Sequence, residues 1–261
     1  MSSAIPIRTV STTHSGARFR YGPWRGSTSI AQVISIGGGI VDHGAVGEIS
    51  DLLLNLGFHE ILTAALGPSE QTPFLEAGYR THEPLHLLEL DLRPEIVSQS
   101  SHRTRRMRQQ DVALSLAIDV ASFTSFWQFD AASLGEAFSA TPTSRRRVVR
   151  SGKAVLGYAV TGRSDQTGFI QRLAVDPDAR RIGVGSSLIA DGLSWLYSKG
   201  ARSALVNTQP DNEAALSLYE QFGFVEHPGG LAVLRLEGSP PRLRCDPNEE
   251  KIGRASCRER V

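Results

Sequence analysis

Short apolar runs alternate with amphipathic segments along the second half of the chain. Residues 154–162 (AVLGYAVTG) and 168–177 (GFIQRLAVDP) are rich in β-branched and aromatic residues and are bounded by Gly, Asp and Pro. This composition predicts two neighbouring strands joined by a turn. Between Gly183 and Lys199 apolar residues recur at helical spacing, and Gly200 follows them, so a helix is predicted there.

The pattern continues to residue 237. Residues 201–209 (ARSALVNTQ) predict another strand, and the segment NEAALSLYEQFGF predicts a helix with Asn212 as its N-cap and Gly223 at its C-terminal end. Residues 231–237 (LAVLRLE) predict a closing strand. Strands alternating with helices in this way predict an α/β (α+β) fold.

A weaker copy of this pattern occupies the first half of the chain. Residues 44–66 resemble residues 183–206, and residues 67–92 resemble residues 209–237. Two copies are too few for a solenoid, so we expect two related units in tandem. The predicted domains are an incomplete unit at residues 17–95, in which the first strands are missing or shortened, and a complete unit at residues 104–238. Residues 1–16 and 239–261 are expected to be disordered.

The last ten residues, 252–261 (IGRASCRERV), neither continue a periodic element nor form a cap. Back-translated, they read as a common short-read sequencing adapter, so our hypothesis is an assembly artefact. The alternative is a natural basic tail. Cys245 and Cys257 both lie beyond residue 238, and nothing in their spacing indicates a disulfide framework or a zinc site.

Composition restricts the possible partners. The chain has 261 residues, 40% hydrophobic and 21% charged, and a formal net charge of +1. So small a charge gives no general attraction to nucleic acid or to an anionic membrane. No apolar run of about 18 residues and no signal peptide is present, so we expect a cytoplasmic protein. We also expect that it binds no metal. The arginine-rich segments 103–108 and 144–149 are interpreted as linker or solvated strand edge, not as a nucleic-acid site.

One loop carries candidate chemistry. The residues RRIGVG, Arg180 to Gly185, precede the predicted helix. The first N–H groups of a helix lack intrahelical partners and attract phosphate. Gly183 and Gly185 would let a pyrophosphate approach the backbone, and Arg180 and Arg181 would add charge-assisted hydrogen bonds. A simple turn is the alternative, and the context of the loop decides between the two.

That context resembles the GNAT superfamily of acyl-CoA-dependent N-acyltransferases. The pyrophosphate-loop pattern Q/R-x-x-G-x-G/A is met by Arg180, Gly183 and Gly185, the preceding strand contains the segment LAV, and N-x-x-A-x-x-L-Y-x-x-x-G-F follows downstream. The resemblance covers about residues 104–237 and implies the GNAT fold, a mixed central sheet flanked by helices. Within the superfamily it is nearest to the ribosomal-protein N-terminal acetyltransferases.

The resemblance implies transfer of an acetyl group from acetyl-CoA to an amine, either a protein N-terminus or a small molecule. It implies that Tyr219 faces the thioester sulfur as the acid, a role that suits a phenol with an ordinary pKa of about 10. It also implies a set of residues that bind acetyl-CoA: Leu173, Ala174, Val175, Arg180, Arg181, Ile182, Gly183, Val184, Gly185, Ser186 and Asn212.

The chain departs from the resembled enzymes at the general base. Where they carry Glu this sequence has Asn207, and an amide cannot accept the proton. Deprotonation could use water held by Asn207 and Gln171, could use His227 or Glu226, or could be unnecessary for an amine of low pKa. The alternative function is therefore a non-catalytic acyl-CoA-binding or regulatory protein. The acceptor stays open, as does the choice between monomer and homodimer.

The first copy of the repeat lacks the arginines that would bind phosphate at the corresponding loop. Asp42 to Gly47 (DHGAVG) stands opposite Arg180 to Gly185, which places a carboxylate where phosphate would bind. We therefore predict a non-catalytic first unit that shapes the acceptor side or replaces a second subunit. Phe126, Trp127 and Phe129 could line the acceptor pocket or fill a core.

Overall fold

The computed structural model describes residues 9–94 and 101–238. Residues 9–94 are called the N-terminal unit below, and residues 101–238 the C-terminal unit. The predictions made for residues 1–8 and 239–261, including the origin of the last ten residues and the two cysteines, lie outside the described residues.

Strands make up most of both units. The strands are β1 (Thr9–Thr12), β2 (Ala17–Pro23), β3 (Ile30–Gly38), β4 (Glu60–Leu66), β5 (Arg80–Asp91), β6 (Thr104–Arg106), β7 (Thr143–Ser151), β8 (Ala154–Ser164), β9 (Thr167–Val175), β10 (Ser203–Thr208), β11 (Val225–Glu226) and β12 (Leu231–Glu237). The helices are α1 (His43–Asn55), α2 (Pro68–Glu76), α3 (Gln109–Ser122), α4 (Ala131–Ser139), α5 (Val184–Ser198) and α6 (Glu213–Gln221).

The strands form a mixed sheet in the order β1-β2-β3-β4-β12-β5-β10-β9-β8-β7-β6, and β11 pairs with β5. The pairs β3 with β4 and β9 with β10 are parallel, whereas the neighbours around them are antiparallel. Helices flank this sheet, so the predicted mixed α/β fold with a second, related unit is confirmed.

The two units exchange strands. The last strand, β12, pairs with β4 and with the first half of β5, both in the N-terminal unit. In return, the second half of β5 pairs with β10 and β11 of the C-terminal unit. The hydrophobic cores follow the pairing, because Leu234 of β12 is buried among N-terminal residues, while Leu88 and Leu90 of β5 are buried among C-terminal residues. Each unit therefore completes the core of the other.

At three places the local structure differs from the sequence-based predictions or adds to them. Residues 9–12 form β1 against β2, so the expected disorder of residues 1–16 is wrong from Thr9 onward. The arginines between residues 144 and 149 lie in β7, inside the sheet between β6 and β8, and Arg145 and Arg147 bind the Asp191 carboxylate of α5 at 2.6 and 3.0 Å. Arg145 and Arg147 are therefore ion-paired, whereas Arg146 is exposed and lies over the Phe138 ring. Residues 101–108, called the connector below, lead into a helix, α3, that was not predicted from the sequence.

Candidate active site

The parallel strands β9 and β10 begin together and then part. Their pairing runs only from Ser203 opposite Thr167 to Leu205 opposite Phe169. Beyond that point β9 keeps its antiparallel partner β8 on one edge, and none of the described strands pairs with its other edge. A sheet that opens in this way exposes unpaired backbone donors and acceptors, which an extended ligand can satisfy as an added strand would.

A cavity of about 830 Å³ occupies this opening. One wall consists of residues 169–173 of β9 and residues 205–209, which include the end of β10. The opposite wall comes from the N-terminal unit, chiefly residues 20–26, and residues around α3 and α4 close the cavity. The cavity thus lies between the two units and depends on both.

Tyr219 and Asn212 enter the cavity wall from α6. Asn212 caps this helix, because its side-chain Oδ1 accepts a hydrogen bond from the Ala215 N–H at 3.2 Å. Tyr219 is only 5% exposed, yet its hydroxyl makes no hydrogen bond within the described residues. Burial raises the pKa of Tyr219 above its ordinary value, and the nearby positive charge of Arg172 opposes this shift. The phenol is therefore held protonated beside the cavity.

Gln171 faces the cavity from a β-bulge. Val160 pairs with Arg172 and Thr161 with Ile170, so Gln171 is the extra residue of β9. Its Nε2 donates weakly to Thr141 Oγ1 at 3.4 Å, while its Oε1 is buried without a hydrogen-bond partner among the described residues. A buried acceptor left unpaired is destabilising, and a bound N–H donor would satisfy it. Asn207 of β10 also lines this part of the cavity.

The wall beside Gln171 is fixed by a buried ion pair. Arg172 donates two hydrogen bonds to the Asp119 carboxylate of α3, at 2.7 and 2.6 Å. Its guanidinium lies 3.5 Å from the ring centroid of Phe123 and 3.9 Å from that of Phe129. Tyr158 also donates to Asp119, which completes the network. Because a bidentate, stacked arginine has little freedom, this network orients β9 against α3.

The RRIGVG loop lies at the far end of β9. Gly183 precedes α5 with φ +87°, and Arg181 also has a positive φ, +62°. The first intrahelical bond runs from the Ser187 N–H to the Gly183 carbonyl, so the N–H groups of Val184, Gly185 and Ser186 precede the helical ladder. The side chains of Arg180 and Arg181 are exposed and make no hydrogen bond or ion pair within the described chain.

Both glycines of this loop also have structural reasons. A Cβ on Gly183 would lie 2.2 Å from Ser101 Oγ of the connector, and one on Gly185 would lie 3.1 Å from Leu218 of α6. Close packing within the protein therefore requires these glycines, besides any approach of a phosphate. The connector is anchored here as well, since the His102 N–H donates to Ser187 Oγ at 3.1 Å.

The structure brings some of the candidate residues together and separates others. Leu173, Asn212 and Tyr219 share the cavity wall. Ala174 and Val175 continue along β9 towards residues 180–186, and neither they nor the loop belong to that wall. Glu226 and His227 lie outside it too, and Glu226 contacts His86 at 2.6 Å. Phe129 and Trp127 both line the cavity, whereas Phe126 stacks on Trp24.

Arg172 and Arg25 were not predicted from the sequence, because only the tertiary fold brings them to the cavity. Arg172 and Asp119 are 53 positions apart and carry no motif. Arg25 reaches the cavity from the N-terminal unit, in a turn over Trp24–Gly26 where its own φ is +47°. Burial, and then the charge of Arg172, lower the pKa of Arg25 to about 10. In the sequence, Gly26 signals a turn here, but nothing indicates that the turn reaches the cavity.

Comparison with known families agrees with this geometry. Residues 116–224 match the acetyltransferase (GNAT) family. The matching segment, residues 116–224, is called the GNAT domain below. This domain contains the cavity residues of β9, β10 and α6 together with the RRIGVG loop, and it lies within the C-terminal unit.

Curated relatives of the GNAT domain match over a short segment. A mycothiol acetyltransferase from Geodermatophilus obscurus is 40% identical over 63 residues, which cover 24% of this chain and 20% of that protein. The N-alpha-acetyltransferase 30 of Schizosaccharomyces pombe is 35% identical over 60 residues, which cover 23% of this chain and 40% of that protein. The chain thus matches well under half the length of these relatives.

Solved structures match most of the chain. A tandem GNAT protein from the clavulanic acid biosynthesis pathway, solved without AcCoA, superposes with a TM-score of 0.65 at 12% identity, covering 86% of this chain and 79% of that one. A GNAT-family structure from Novosphingobium aromaticivorans gives a TM-score of 0.59 at 18% identity, covering 89% and 92%. At these identities the likeness shows the fold, including a second unit beside the GNAT domain.

Within the described residues, no helix is long and apolar enough to cross a membrane. The same part of the chain has no cluster of His, Cys, Asp and Glu side chains that could hold a metal ion.

Proposed function

We propose that this chain transfers an acetyl group from acetyl-CoA to an amine, either a protein N-terminus or a small molecule. The observation that carries the proposal is Tyr219, which lines the cavity where β9 and β10 part and whose hydroxyl has no hydrogen-bond partner in the described parts of the chain. A strand of the same GNAT domain, β9, leads from this cavity towards a helix N-terminus suited to phosphate.

Three parts of the chain fit acetyl-CoA. The N–H groups of Val184, Gly185 and Ser186, with Arg180 and Arg181, form an electropositive site for its pyrophosphate. The open edge of β9 over Leu173, Ala174 and Val175 can pair with the pantetheine amides, since β10 has already left this edge. The Asn212 side chain lines the cavity at the end that would receive the thioester.

The chemistry follows from the cavity residues. The amine nitrogen forms a bond to the acyl carbon, the carbon–sulfur bond breaks, and the departing thiolate takes a proton from the Tyr219 hydroxyl. The acceptor nitrogen loses its proton to water in the same reaction, and water returns a proton to the Tyr219 phenolate, so the enzyme ends each cycle unchanged. The buried Gln171 Oε1 can accept a hydrogen bond from the acceptor nitrogen and so orient it. Since Glu226 and His227 lie outside the cavity wall, we propose that the amine reacts in its neutral form.

The N-terminal unit has a different role in this proposal. At the start of α1, the Asp42 carboxylate accepts a hydrogen bond from the Ala45 N–H at 2.8 Å. An anion is thus already present where a pyrophosphate would bind, and a second anion would be repelled. We propose that this unit binds no coenzyme A and instead forms the acceptor wall of the cavity.

The test is release of free thiol from acetyl-CoA in the presence of a panel of amines and peptides. We expect amine-dependent release that the Tyr219→Phe variant lowers about a hundredfold, with unchanged affinity for acetyl-CoA. Tyr197→Phe is the matched control, because Tyr197 lies exposed on α5 and should be neutral. Binding of acetyl-CoA without turnover of any amine would instead favour the acyl-CoA-binding, regulatory function.

A further inference from the structure

An arginine from the N-terminal unit crosses into the cavity of the GNAT domain. Arg25 belongs to the Trp24–Gly26 turn, and its Nη1 donates to the Ser125 carbonyl of the C-terminal unit at 3.3 Å. Its guanidinium lies 4.6 Å from the Trp24 ring centroid and 6.0 Å from that of Phe126. The side chain is thus held beside two rings that stack on each other, Trp24 and Phe126.

The Arg25 guanidinium has no carboxylate within ion-pair distance in the described chain. This distinguishes it from Arg172 of the same cavity wall, whose guanidinium binds Asp119 through two hydrogen bonds. Arg20 of β2 also lines the cavity, and its side chain makes no hydrogen bond or ion pair within the described residues. Two guanidinium groups are therefore available to an anion entering from outside.

The backbone indicates that the position of Arg25 matters. Its φ of +47° lies in the left-handed region, which non-glycine residues adopt rarely and at an energetic cost. Gly26, the neighbouring residue, has φ +74°. Strain of this kind persists where the surrounding structure requires it and occurs often at ligand sites.

The lining of the cavity also carries negative charge. Asp130, the N-cap of α4, and Glu136, within the same helix, both line the cavity. Asp130 is close enough to Arg25 for their charges to influence each other, although its carboxylate mainly caps α4 through the Ser133 N–H at 2.7 Å. Carboxylates here would repel a doubly charged phosphate more strongly than a singly charged carboxylate, and they would attract an ammonium group.

We infer that the acceptor is a small amine that also carries a carboxylate, an amino acid or a close relative, whose carboxylate is bound by Arg25, with Arg20 adding positive charge to the same cavity. This inference rests on the proposed acetyl transfer and narrows its substrate class. A planar guanidinium can bind such a carboxylate through two parallel hydrogen bonds. The amine would then lie between the arginines of the N-terminal unit and the residues of β9 and α6, so the first unit selects the substrate.

The test compares the twenty L-amino acids with the corresponding amino-acid amides as acceptors of acetyl groups. Each amide keeps the amine and side chain and loses only the carboxylate charge. Rates are taken above the amine pKa of both compounds, so that both react as neutral amines. We expect kcat/KM to be higher for the acids. Arg25→Gln should remove this preference by raising KM for the acids about tenfold to a hundredfold, with little change for the amides.

Arg18→Gln is the matched control, because Arg18 lies on the same strand as Arg20, is exposed and does not line the cavity. Equal use of acids and amides by the wild-type protein would overturn the inference and leave the proposed acetyl transfer intact. An equal loss of kcat/KM for acids and amides in the Arg25→Gln variant would also overturn it, because that result is expected if the role of Arg25 is purely structural.

A second measurement separates this inference from the proposed function. Binding of N-acetyl amino acids and of their amides is followed by the intrinsic fluorescence of Trp24 and Trp127, which line the cavity. This readout needs no turnover. Binding that favours the acids and is lost in Arg25→Gln supports the carboxylate site even if no acetyl transfer is found. Equal binding of acids and amides contradicts it.

Discussion

Tyr219 is buried, yet its hydroxyl has no protein partner within the described residues. Another buried tyrosine, Tyr158, donates instead to Asp119. Since no hydrogen bond is lost, Tyr219→Phe should change the free energy of unfolding by less than about 1 kcal/mol. Chemical denaturation of both proteins checks this. A much larger loss would show that the hydroxyl is a structural group.

The raised pKa of Tyr219 gives an expectation for the dependence of activity on pH. Burial favours the protonated phenol, so the acid stays available until the pH exceeds the ordinary tyrosine pKa of 10.0. With a neutral amine as the reactive form, kcat/KM should rise with pH up to the pKa of the acceptor and show no fall between there and about pH 10. A profile that falls below pH 9 would contradict Tyr219 as the acid.

At the scale of elements, α5 is joined to the sheet by the Asp191 carboxylate. This side chain accepts hydrogen bonds from Arg145 and Arg147 of β7 and, at 2.6 Å, from Thr104 of β6. Although burial alone would raise its pKa, these donors lower the pKa of Asp191 below the ordinary aspartate value. The helix that begins at the RRIGVG loop therefore depends on a charged carboxylate for its position.

Asp191→Asn should lower the free energy of unfolding by about 2 kcal/mol at pH 7, because it leaves two arginines without their anion. A lowered folded pKa stabilises the protein above the unfolded pKa of about 3.9, and this stabilisation is lost as the pH falls through the folded value. The difference between the variant and the wild-type protein should therefore shrink below about pH 4. A difference that does not change with pH would contradict the ion pair as its cause.

Helices were predictable where the residues of one short segment are enough to determine them. The helical spacing of residues 183–199 predicted α5, and Asn212 was correctly identified as the cap of α6. The helix α3 was missed because its polar first turn continues the arginine-rich connector, and what stabilises it is tertiary: Asp111 binds Arg105 at 2.8 Å and Asp119 binds Arg172. Periodicity alone does not contain these contacts.

At the scale of the whole molecule, the exchange of β5 and β12 makes the two units interdependent. Leu234 is fully buried in the N-terminal core although it belongs to the last strand described. Leu234→Ala should cost about 3 kcal/mol and should lower the midpoint of a single unfolding transition for the whole chain. Calorimetry and hydrogen exchange check this. Separate transitions, with protection in the C-terminal unit unchanged, would contradict interdependent folding.

The site was predictable only in the part that local motifs encode. Tyr219, Asn212 and Leu173 were named from the sequence and share one cavity wall. Arg25 and Arg172 were not, because the first arrives from the other unit and the second acts through Asp119, 53 positions away. The repeat in the sequence revealed two related units, but no local pattern shows that their strands exchange or that the cavity lies between them.

The central claim is that the RRIGVG loop binds the pyrophosphate of acetyl-CoA, and isothermal calorimetry of the full chain with acetyl-CoA tests it most directly. The variant Arg180→Glu/Arg181→Glu is compared with Lys199→Glu/Arg202→Glu, an equal change of charge at exposed residues beyond the other end of α5. We expect binding by the wild-type protein and the second variant and at least a tenfold loss in the first. No binding by the wild-type protein, or equal affinity in all three, would contradict the claim.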